Sequence, residues 1–348
     1  MASIFELVTA AAITAYWDAL EQDRAPYLGE ELFDEQQKLG LDLKWIRGSA
    51  GLPVVLLPSA YDVKSKKRDR IGFEKVQTEM PFFKESTYID EELRQQLNMV
   101  LETGNQAYID AVMNRVFADE IQLLEGARAQ RERMRMMLLT TGAISISANG
   151  QDYDYDYGMK AENKITVAKD WSKPNEADIV SDIRTWQDQV EDATGVRPRR
   201  AVVSRKTFGY MMNSTLIRNA ILGNNSAVPV SEEKVKTYLL NELDLTLVIY
   251  TKRYKDENKV ATAFVPDDLF VLFPEGKLGT GWFGTTPEQS DLMAGTAANV
   301  SIVDTGVAVT TTKETDPVQV ETKVSMIYLP SFETIDQVII AQVVPDAE

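Results

Sequence analysis

Residues 106–139 read QAYIDAVMNRVFADEIQLLEGARAQRERMRMMLL, and this stretch sets the architecture of the chain. Its apolar side chains recur at steps of three and four residues with charged residues between them: Ile109, Val112, Met113, Val116, Phe117, Ile121 and Leu124. That spacing predicts one amphipathic helix, about 50 Å long at 1.5 Å per residue. Gly126 lies inside it and weakens a helix by about 1 kcal/mol relative to Ala, so we predict a bend there.

Before the helix, the pattern is typical of β-strands. Residues 52–58 and 71–83 flank a very polar centre at 64–70. In residues 75–80, polar and apolar side chains alternate with a period of two. We therefore predict a long β-hairpin over residues 45–88 with a charged tip. A two-stranded ribbon is marginally stable alone, so we expect it to rest on another surface.

The N-terminal segment is predicted to be an arm. Ser3 and Glu6 fit a capping box that starts a helix, and Pro26 and Gly29 end it. Residues 30–44 are polar and are predicted to be irregular or briefly helical. The arm has little apolar surface of its own, so we expect it to lie on the rest of the protein.

After the long helix, strand and helix signals alternate. Asn149-Gly150 predicts a tight turn between two strands, and Asn175 and Gly195 predict the two ends of a helix. Ser231 is predicted to cap a further helix. The segments with strand character are 200–204, 245–250, 260–265, 269–273, 318–328 and 335–344. We expect the last two to complete a sheet begun earlier in the chain.

The composition excludes much catalytic chemistry. The 348 residues include no cysteine and no histidine. Disulfides, thiol nucleophiles, imidazole bases and Ser-His-Asp triads are therefore impossible. Any enzyme built from this chain depends on Asp, Glu, Lys, Tyr, Ser and Thr.

The charge and the hydropathy pattern limit the partners. A net charge of −16 repels phosphate, which argues against a sequence-reading nucleic-acid binder but allows a container for nucleic acid. No apolar run reaches the roughly 20 residues of a membrane helix. No basic residue precedes the apolar run at 8–17, so we expect no signal peptide. We expect a protein made and used in the cytoplasm, or in a particle assembled there.

Short motifs occur in the same order over most of the chain, and together they resemble a known family. They are Tyr27-Leu-Gly29, Gly40-Leu-Asp-Leu-Lys-Trp-Ile46, Gly51-Leu-Pro53, Leu57-Pro-Ser-Ala60, Arg68-Asp-Arg-Ile-Gly-Phe73, Glu79-Met-Pro-Phe-Phe83, Tyr153-Asp-Tyr-Asp-Tyr-Gly158, Val265-Pro-Asp-Asp268, Phe273-Pro274 and Gly284-Thr-Thr-Pro-Glu288. The chain resembles the lambda-type branch of tailed-bacteriophage major capsid proteins, which have the HK97 fold.

The resemblance implies an α+β fold with five parts. They are an N-terminal arm (1–44), an extended hairpin loop (45–88), a peripheral domain with a long spine helix (89–170), an axial α/β domain (171–300) and C-terminal strands that return to the peripheral domain (301–348). It also implies a structural protein, not an enzyme, that self-assembles through pentamers and hexamers into an icosahedral shell around double-stranded DNA. No catalytic residue, cofactor or metal is expected.

The implied partners and location follow from the same resemblance. The partners are other copies of the chain, a scaffold protein, a portal and optionally a decoration protein. Packaged DNA is expected to make weak, non-specific contact, and no membrane is involved. The implied location is the virion capsid, assembled in the host cytoplasm.

Lys64, Lys66, Lys67, Arg68 and Arg70 form the strongest basic cluster. One interpretation is a solvated hairpin tip. The other is a tip that crosses to a neighbouring subunit and pairs with its carboxylates, because such pairs fix register more than they add affinity. Nucleic-acid binding is less favoured, since no aromatic residue in the tip offers a stacking platform.

Two further groups of charged residues have alternative interpretations. Asp152, Asp154 and Asp156 alternate with tyrosines, which indicates either a solvent-facing strand or a site for Ca²⁺, Mg²⁺ or acid–base chemistry. The segment lacks the glycine and distal Glu of a calcium loop. The arginines of the long helix are predicted either to pair along the helix or to line an inner wall: Arg128, Arg131, Arg133 and Arg135.

Two alternatives to the phage capsid remain. One is a soluble hydrolase that uses Asp152 or Asp154 together with a distant Glu, as glycoside hydrolases use carboxylate pairs. The other is a bacterial nanocompartment shell of the same fold, which its cargo would distinguish from a phage capsid.

Overall fold

A computed structural model describes residues 8–21, 24–47, 74–89, 91–102, 106–223, 228–293, 295, 298–316 and 318–345. The α-helices are α1 (Ala10–Glu21), α2 (Leu28–Leu32), α3 (Glu91–Glu102), α4 (Gln106–Thr141), α5 (Ile179–Thr194), α6 (Arg205–Asn213), α7 (Thr215–Leu222) and α8 (Glu232–Leu243). The strands are β1 (Phe33–Gln37), β2 (Asp42–Arg47), β3 (Glu74–Glu79), β4 (Phe82–Ile89), β5 (Ala143–Ala148), β6 (Gln151–Asp156), β7 (Lys164–Thr166), β8 (Arg200–Val203), β9 (Thr246–Ile249), β10 (Arg253–Lys255), β11 (Ala261–Ala263), β12 (Leu269–Phe273), β13 (Gly279–Phe283), β14 (Asn299–Val303), β15 (Val307–Thr315), β16 (Val318–Pro330) and β17 (Ile339–Gln342).

The chain divides into two compact units, and each unit is built from three separate segments. The first unit comprises residues 1–44, 77–132 and 280–331, and the second comprises 45–76, 133–279 and 332–348. Each unit combines parts of several of the five segments predicted from the sequence. Compactness therefore depends on segments that are distant in the chain.

The first unit is organised around the long strand β16. The sheet order is β1-β13-β16-β15-β14, and β4 also pairs with β16. β16 is antiparallel to both β15 and β4, with Lys323 opposite Thr310 on one side and Ser86 on the other. Tyr328 lies opposite Phe283 on β13, and both side chains are buried. β16 is therefore the centre of this sheet.

The N-terminal part of the first unit differs from the prediction. Helix α1 begins at Ala10, where the Thr9 hydroxyl accepts the amide N–H of Ala12 at 3.2 Å. The predicted capping box at Ser3 and Glu6 lies outside the described residues. The prediction that residues 30–44 are irregular or briefly helical is wrong for β1 and the start of β2, since β1 pairs with β13 and β2 pairs with β3. These partners are distant in sequence, so no local pattern reveals them.

The long helix is confirmed. Helix α4 has 36 residues, and Val116, Ile121 and Leu124 are buried as the periodicity predicts. It is α-helical through Gly126, where an added Cβ would meet no atom within 4 Å. Residues up to Glu132 belong to the first unit, and the later residues belong to the second.

A five-stranded sheet forms the centre of the second unit. Its order is β7-β17-β12-β8-β9, in which β8 with β9 and β7 with β17 are parallel pairs. The rings of Trp171, Trp186 and Phe270 lie together in the core, with centroids 5.5 to 5.8 Å apart. The contact of Trp186 with Phe270 therefore packs α5 against β12 of the sheet.

Helix α5 has the predicted end but a different start. Gly195 ends it with a left-handed φ of 74°, which confirms the predicted stop. The cap is Asp178, whose carboxylate accepts the N–H of Ser181 at 3.1 Å, so the predicted cap at Asn175 is wrong. Asn175 comes three residues too early and instead accepts a hydrogen bond from the Thr215 hydroxyl at 2.5 Å.

The two terminal strands join different sheets. β16 is in the first unit, whereas β17 pairs with β12 and β7 in the second unit. The predicted strand at 335–344 is shorter than expected, because residues 335–337 form a 3₁₀ turn before β17. The segment 301–348 therefore contributes strands to two different sheets.

Strands β5 and β6 form an amphipathic hairpin in the second unit. Asn149 and Gly150 have positive φ values of 53° and 72°, which confirms the predicted two-residue turn. On one face, Ile144 and Ile146 are buried opposite Tyr155 and Tyr153. Within the described residues, we find no helix that is both long and apolar enough to cross a membrane.

Candidate functional site

Two arginines of helix α4 bind carboxylates of other segments of the first unit. Arg128 donates from Nε and Nη2 to Glu30 at 2.6 and 2.8 Å. Arg131 donates from Nη1 to the two oxygens of Glu35 at 2.9 and 3.1 Å, and from Nη2 to Asp304 at 2.5 Å. We call these five residues the arginine clamp.

The arginine clamp is largely shielded from water. The side chain of Arg131 is only 4% exposed, and those of Glu35 and Asp304 are 20% and 14% exposed. The hydrogen bonds that Arg128 donates to Glu30 raise the pKa of Arg128 above its usual value. Charge-assisted, bidentate hydrogen bonds of this kind are the stronger ones in proteins.

Further contacts attach the N-terminal segment beside the arginine clamp. The indole N–H of Trp17 donates to Asp304 at 3.3 Å, and the guanidinium of Arg24 lies 3.9 Å from the centroid of the Trp17 ring. Arg24 also pairs with Glu125 of α4 at 3.1 Å. The buried carboxylate of Glu132 accepts the backbone N–H of Gly29 at 3.1 Å. Together these bonds attach Arg24 and Gly29 to α4, and they attach Trp17 to the carboxylate that Arg131 binds.

The arginines of α4 do not pair along their own helix as one interpretation predicted. Arg128 and Arg131 bind the carboxylates of the clamp, and Arg133 binds Glu257 in the second unit. Arg135 is buried. The interpretation of intrahelical pairing is wrong for the first three arginines, because better-placed carboxylates approach from other elements. The alternative, that these residues line an inner wall, stays a prediction.

The carboxylates of the clamp were not singled out by sequence reasoning. Glu30, Glu35 and Asp304 lie 96 to 173 residues from their arginine partners. The sequence contained one indication of this contact. Residues 30–35 include two pairs of adjacent acidic residues, and the C-terminal part of α4 is rich in arginine. Opposite charge in two segments does not establish contact, so the pairing could not be deduced.

Asp152, Asp154 and Asp156 lie on β6 with exposed side chains. Asp152 bonds to the Ser147 hydroxyl, and Asp156 accepts the N–H of Gly158 at 2.7 Å. Among the described residues, no group of three or more Asp or Glu side chains is arranged to hold a metal ion. The arrangement matches the solvent-facing strand, which was the first interpretation of this segment.

The basic cluster Lys64, Lys66, Lys67, Arg68 and Arg70 lies outside the described residues, so its role stays a prediction.

The motif Gly284–Glu288 follows β13 and contacts β16 in the first unit. The N–H of Gly284 donates to the carbonyl of Ile327 at 2.9 Å, and a Cβ there would lie 2.6 Å from the Ile327 side chain. The buried carboxylate of Glu288 binds Lys323 at 2.7 Å and the Ser325 hydroxyl at 2.9 Å. Burial alone raises the pKa of Glu288, but Lys323 and the hydrogen bonds outweigh it and leave the pKa below its usual value. Both motif residues therefore have structural roles.

The family of the chain follows from its comparison with known proteins. A family model described as phage major capsid protein E matches residues 9–343. The chain belongs to this family. This capsid protein is accordingly a structural subunit that assembles with itself into the shell of a phage virion. The comparison gives no support to the hydrolase alternative.

Solved structures identify the fold of the capsid protein as HK97-like. A putative capsid protein of a prophage from E. coli CFT073 aligns with a TM-score of 0.60 at 14% identity, over 97% of this chain and 99% of that one. A phage-related protein from Bordetella bronchiseptica RB50 aligns with a TM-score of 0.58 at 12% identity, over 97% of both chains. No curated protein sequence matches the chain. The predicted α+β capsid fold is confirmed.

Proposed function

We propose that this capsid protein forms pentamers and hexamers that close into an icosahedral shell around phage double-stranded DNA, and that it has no enzymatic activity. The observation that carries the proposal is the family match over residues 9–343. The absence of cysteine and histidine from the sequence supports a structural role.

The segments keep their predicted roles in the proposed shell. These are an arm (1–44), an extended loop (45–88), a peripheral domain (89–170), an axial domain (171–300) and the terminal strands (301–348). The ribbon of β2 and β3 supports an overlapping loop, because a two-stranded sheet is marginally stable by itself. Contact with a neighbouring subunit would supply the surface on which the ribbon rests.

The proposed partners are a scaffold protein, a portal and optionally a decoration protein, with assembly in the host cytoplasm. The net charge of −16 supports weak, non-specific contact with the packaged DNA. A wall that repels phosphate lets the DNA move during packaging.

Sedimentation and negative-stain electron microscopy test the assembly directly. We expect capsomers, tubes or closed shells to form as the concentration of purified protein rises, with and without divalent salt. The scaffold protein of the same phage is added in a parallel series. Protein that remains a compact monomer in both series contradicts the proposal.

The basic cluster is proposed to contact a neighbouring subunit. Replacing Lys64, Lys66, Lys67, Arg68 and Arg70 together with Gln is expected to reduce shell formation, because rim charges set the rate and register of association. The yield of shells in a sucrose gradient measures the effect. The control replaces exposed Lys164, Lys169, Lys173, Lys234 and Arg184 with Gln. An equal loss in both variants contradicts a specific role for the cluster.

Gly126 is proposed as the point where helix α4 bends when a precursor shell expands. Replacing Gly126 with Ala is expected to stabilise the helix by about 1 kcal/mol and to slow expansion, and the side chain meets no steric obstacle in this structure. Expansion is followed by gel mobility and electron microscopy of shells. Gly126→Ala shells that expand at the wild-type rate contradict the bend.

A further inference from the structure

The outer face of the β5–β6 hairpin carries a row of negative charge. Asp152, Asp154 and Asp156 are exposed and point away from the buried Ile144 and Ile146. The residues opposite the first two on β5 are Ser147 and Ser145, which are also exposed and uncharged. Within the part of the chain that the structure describes, no lysine or arginine forms an ion pair with these aspartates. We call this surface the acidic face.

One strand of a second hairpin in the same unit carries exposed positive charge. Arg253 and Lys255 are exposed on β10, and Lys259 is exposed near the turn to β11. The side chain between the first two, Tyr254, turns inward against Phe264 at a centroid distance of 4.9 Å. Arg253 donates to the carbonyl of Ala261 at 2.9 Å, and no described carboxylate forms an ion pair with these three cations. We call Arg253, Lys255 and Lys259 the basic strand.

The two rows have the same spacing. Side chains at alternate positions of a strand point to one face and lie about 6.8 Å apart. The aspartates at 152, 154 and 156 and the cations at 253 and 255 follow this repeat. If β6 of one copy lies along β10 of another, successive opposite charges therefore meet without a change in backbone conformation.

Both hairpins are also expected to need a further surface for their stability. Within the part of the chain that the structure describes, each consists of two strands, and such ribbons are marginally stable until they rest on a further surface. Their inner faces are held by the buried isoleucines and by Arg133, which binds Glu257 and lies 5.3 Å from the Tyr254 ring centroid. Their outer faces remain available for contact.

We propose that the acidic face of one subunit binds the basic strand of a neighbouring copy of the chain. The inference rests on the proposed self-assembly and adds the two surfaces that meet. Charge complementarity of this kind fixes register and speeds encounter. It also makes the contact sensitive to salt, since the screening length falls from about 10 Å at 0.1 M to about 3 Å at 1 M.

Charge reversal with rescue tests the pairing. One variant carries Asp152→Lys, Asp154→Lys and Asp156→Lys, the second carries Arg253→Glu and Lys255→Glu, and the third combines all five changes. We expect each of the first two to lower the yield of shells roughly tenfold, because like charges then face each other. We expect the combined variant to recover most of the wild-type yield.

Matched controls separate this pairing from general charge effects. Asp192, Asp267 and Glu275 are exposed acidic residues of the same unit, and changing them to Lys alters the net charge equally. We expect this control to assemble like the wild type. Circular dichroism of each unassembled variant confirms that it is folded.

Three outcomes overturn the inference: reversal of the acidic face without loss of shells, a combined variant no better than the single ones, or rescue by reversing residues 64–70 instead of the basic strand. The last outcome would assign the acidic face to the hairpin tip. If wild-type protein forms no shells in the same assay, the proposed function fails and this inference fails with it.

Discussion

Replacing Arg131 with Ala is expected to lower the free energy of unfolding of the first unit by about 3–5 kcal/mol. The guanidinium of Arg131 is the shared partner of Glu35 and Asp304, and its side chain is 4% exposed. Without it, Glu35 and Asp304 lose the cation that they share, in surroundings largely shielded from water. The cost of removing one partner of a buried ion pair exceeds the net value of the pair itself.

Urea unfolding followed by tryptophan fluorescence measures this loss. The matched control is Arg184→Ala, because Arg184 and Glu242 are both about half exposed and 3.9 Å apart. An exposed pair of that kind contributes about 0–1 kcal/mol. If both variants lose the same small amount, the arginine clamp does not hold the first unit together.

Replacing Glu120 with Gln is expected to stabilise the protein above pH 7 and to remove a pH dependence. Glu120 is 2% exposed, and burial raises its pKa to about 7. The nearby Thr322 hydroxyl opposes this shift, and Asp119 adds to it. The neutral amide of Gln resembles the protonated carboxyl that the fold favours.

The direction of the pH effect follows from the raised pKa. Between the usual value of 4.5 and about 7, the folded state keeps a proton that the unfolded state has released. The stabilising contribution is therefore fully present below the unfolded value and is lost as the pH rises through the folded one. At 1.36 kcal/mol per pKa unit, the difference amounts to about 3 kcal/mol.

Unfolding free energies of wild type and Glu120→Gln, measured from pH 4 to pH 8, test this prediction. The two proteins are expected to be similar at the acidic end, and the variant is expected to gain stability as the pH rises. The control is Glu85→Gln, an exposed carboxyl on β4 of the same unit. A constant difference between Glu120→Gln and wild type across the range would show that folding does not raise the pKa of Glu120.

The short-range features of the fold could be predicted from the sequence. The period of the apolar residues identified α4 within two residues of its end, and Asn149-Gly150 and Gly195 marked a turn and a helix stop. Each depends on side chains within a few positions of one another. The capping residue of α5 shows the limit of such signals, since Asp178 and Asn175 are equally good caps in isolation.

Only part of the candidate site could be predicted from the sequence. The arginines of α4 and the aspartates of β6 stood out as charged runs, and the lack of cysteine and histidine in the sequence excluded metal-thiolate and imidazole chemistry. Their partners did not stand out, because an ion pair depends on the distance between two side chains in space. Arg131 and Asp304 are separated by 173 residues.

The sequence by itself determined the α+β class, the long helix, the hairpin turn and the resemblance to a phage capsid subunit, because all of these rest on local periodicity or on ordered motifs. Only the tertiary structure decided that β1 pairs with β13, that β16 and β17 enter different sheets, and that the arginines of α4 hold the N-terminal segment. The physical reason is that backbone hydrogen bonds and buried charges are satisfied by whichever groups the topology brings within about 3 Å. That proximity is a property of the whole chain.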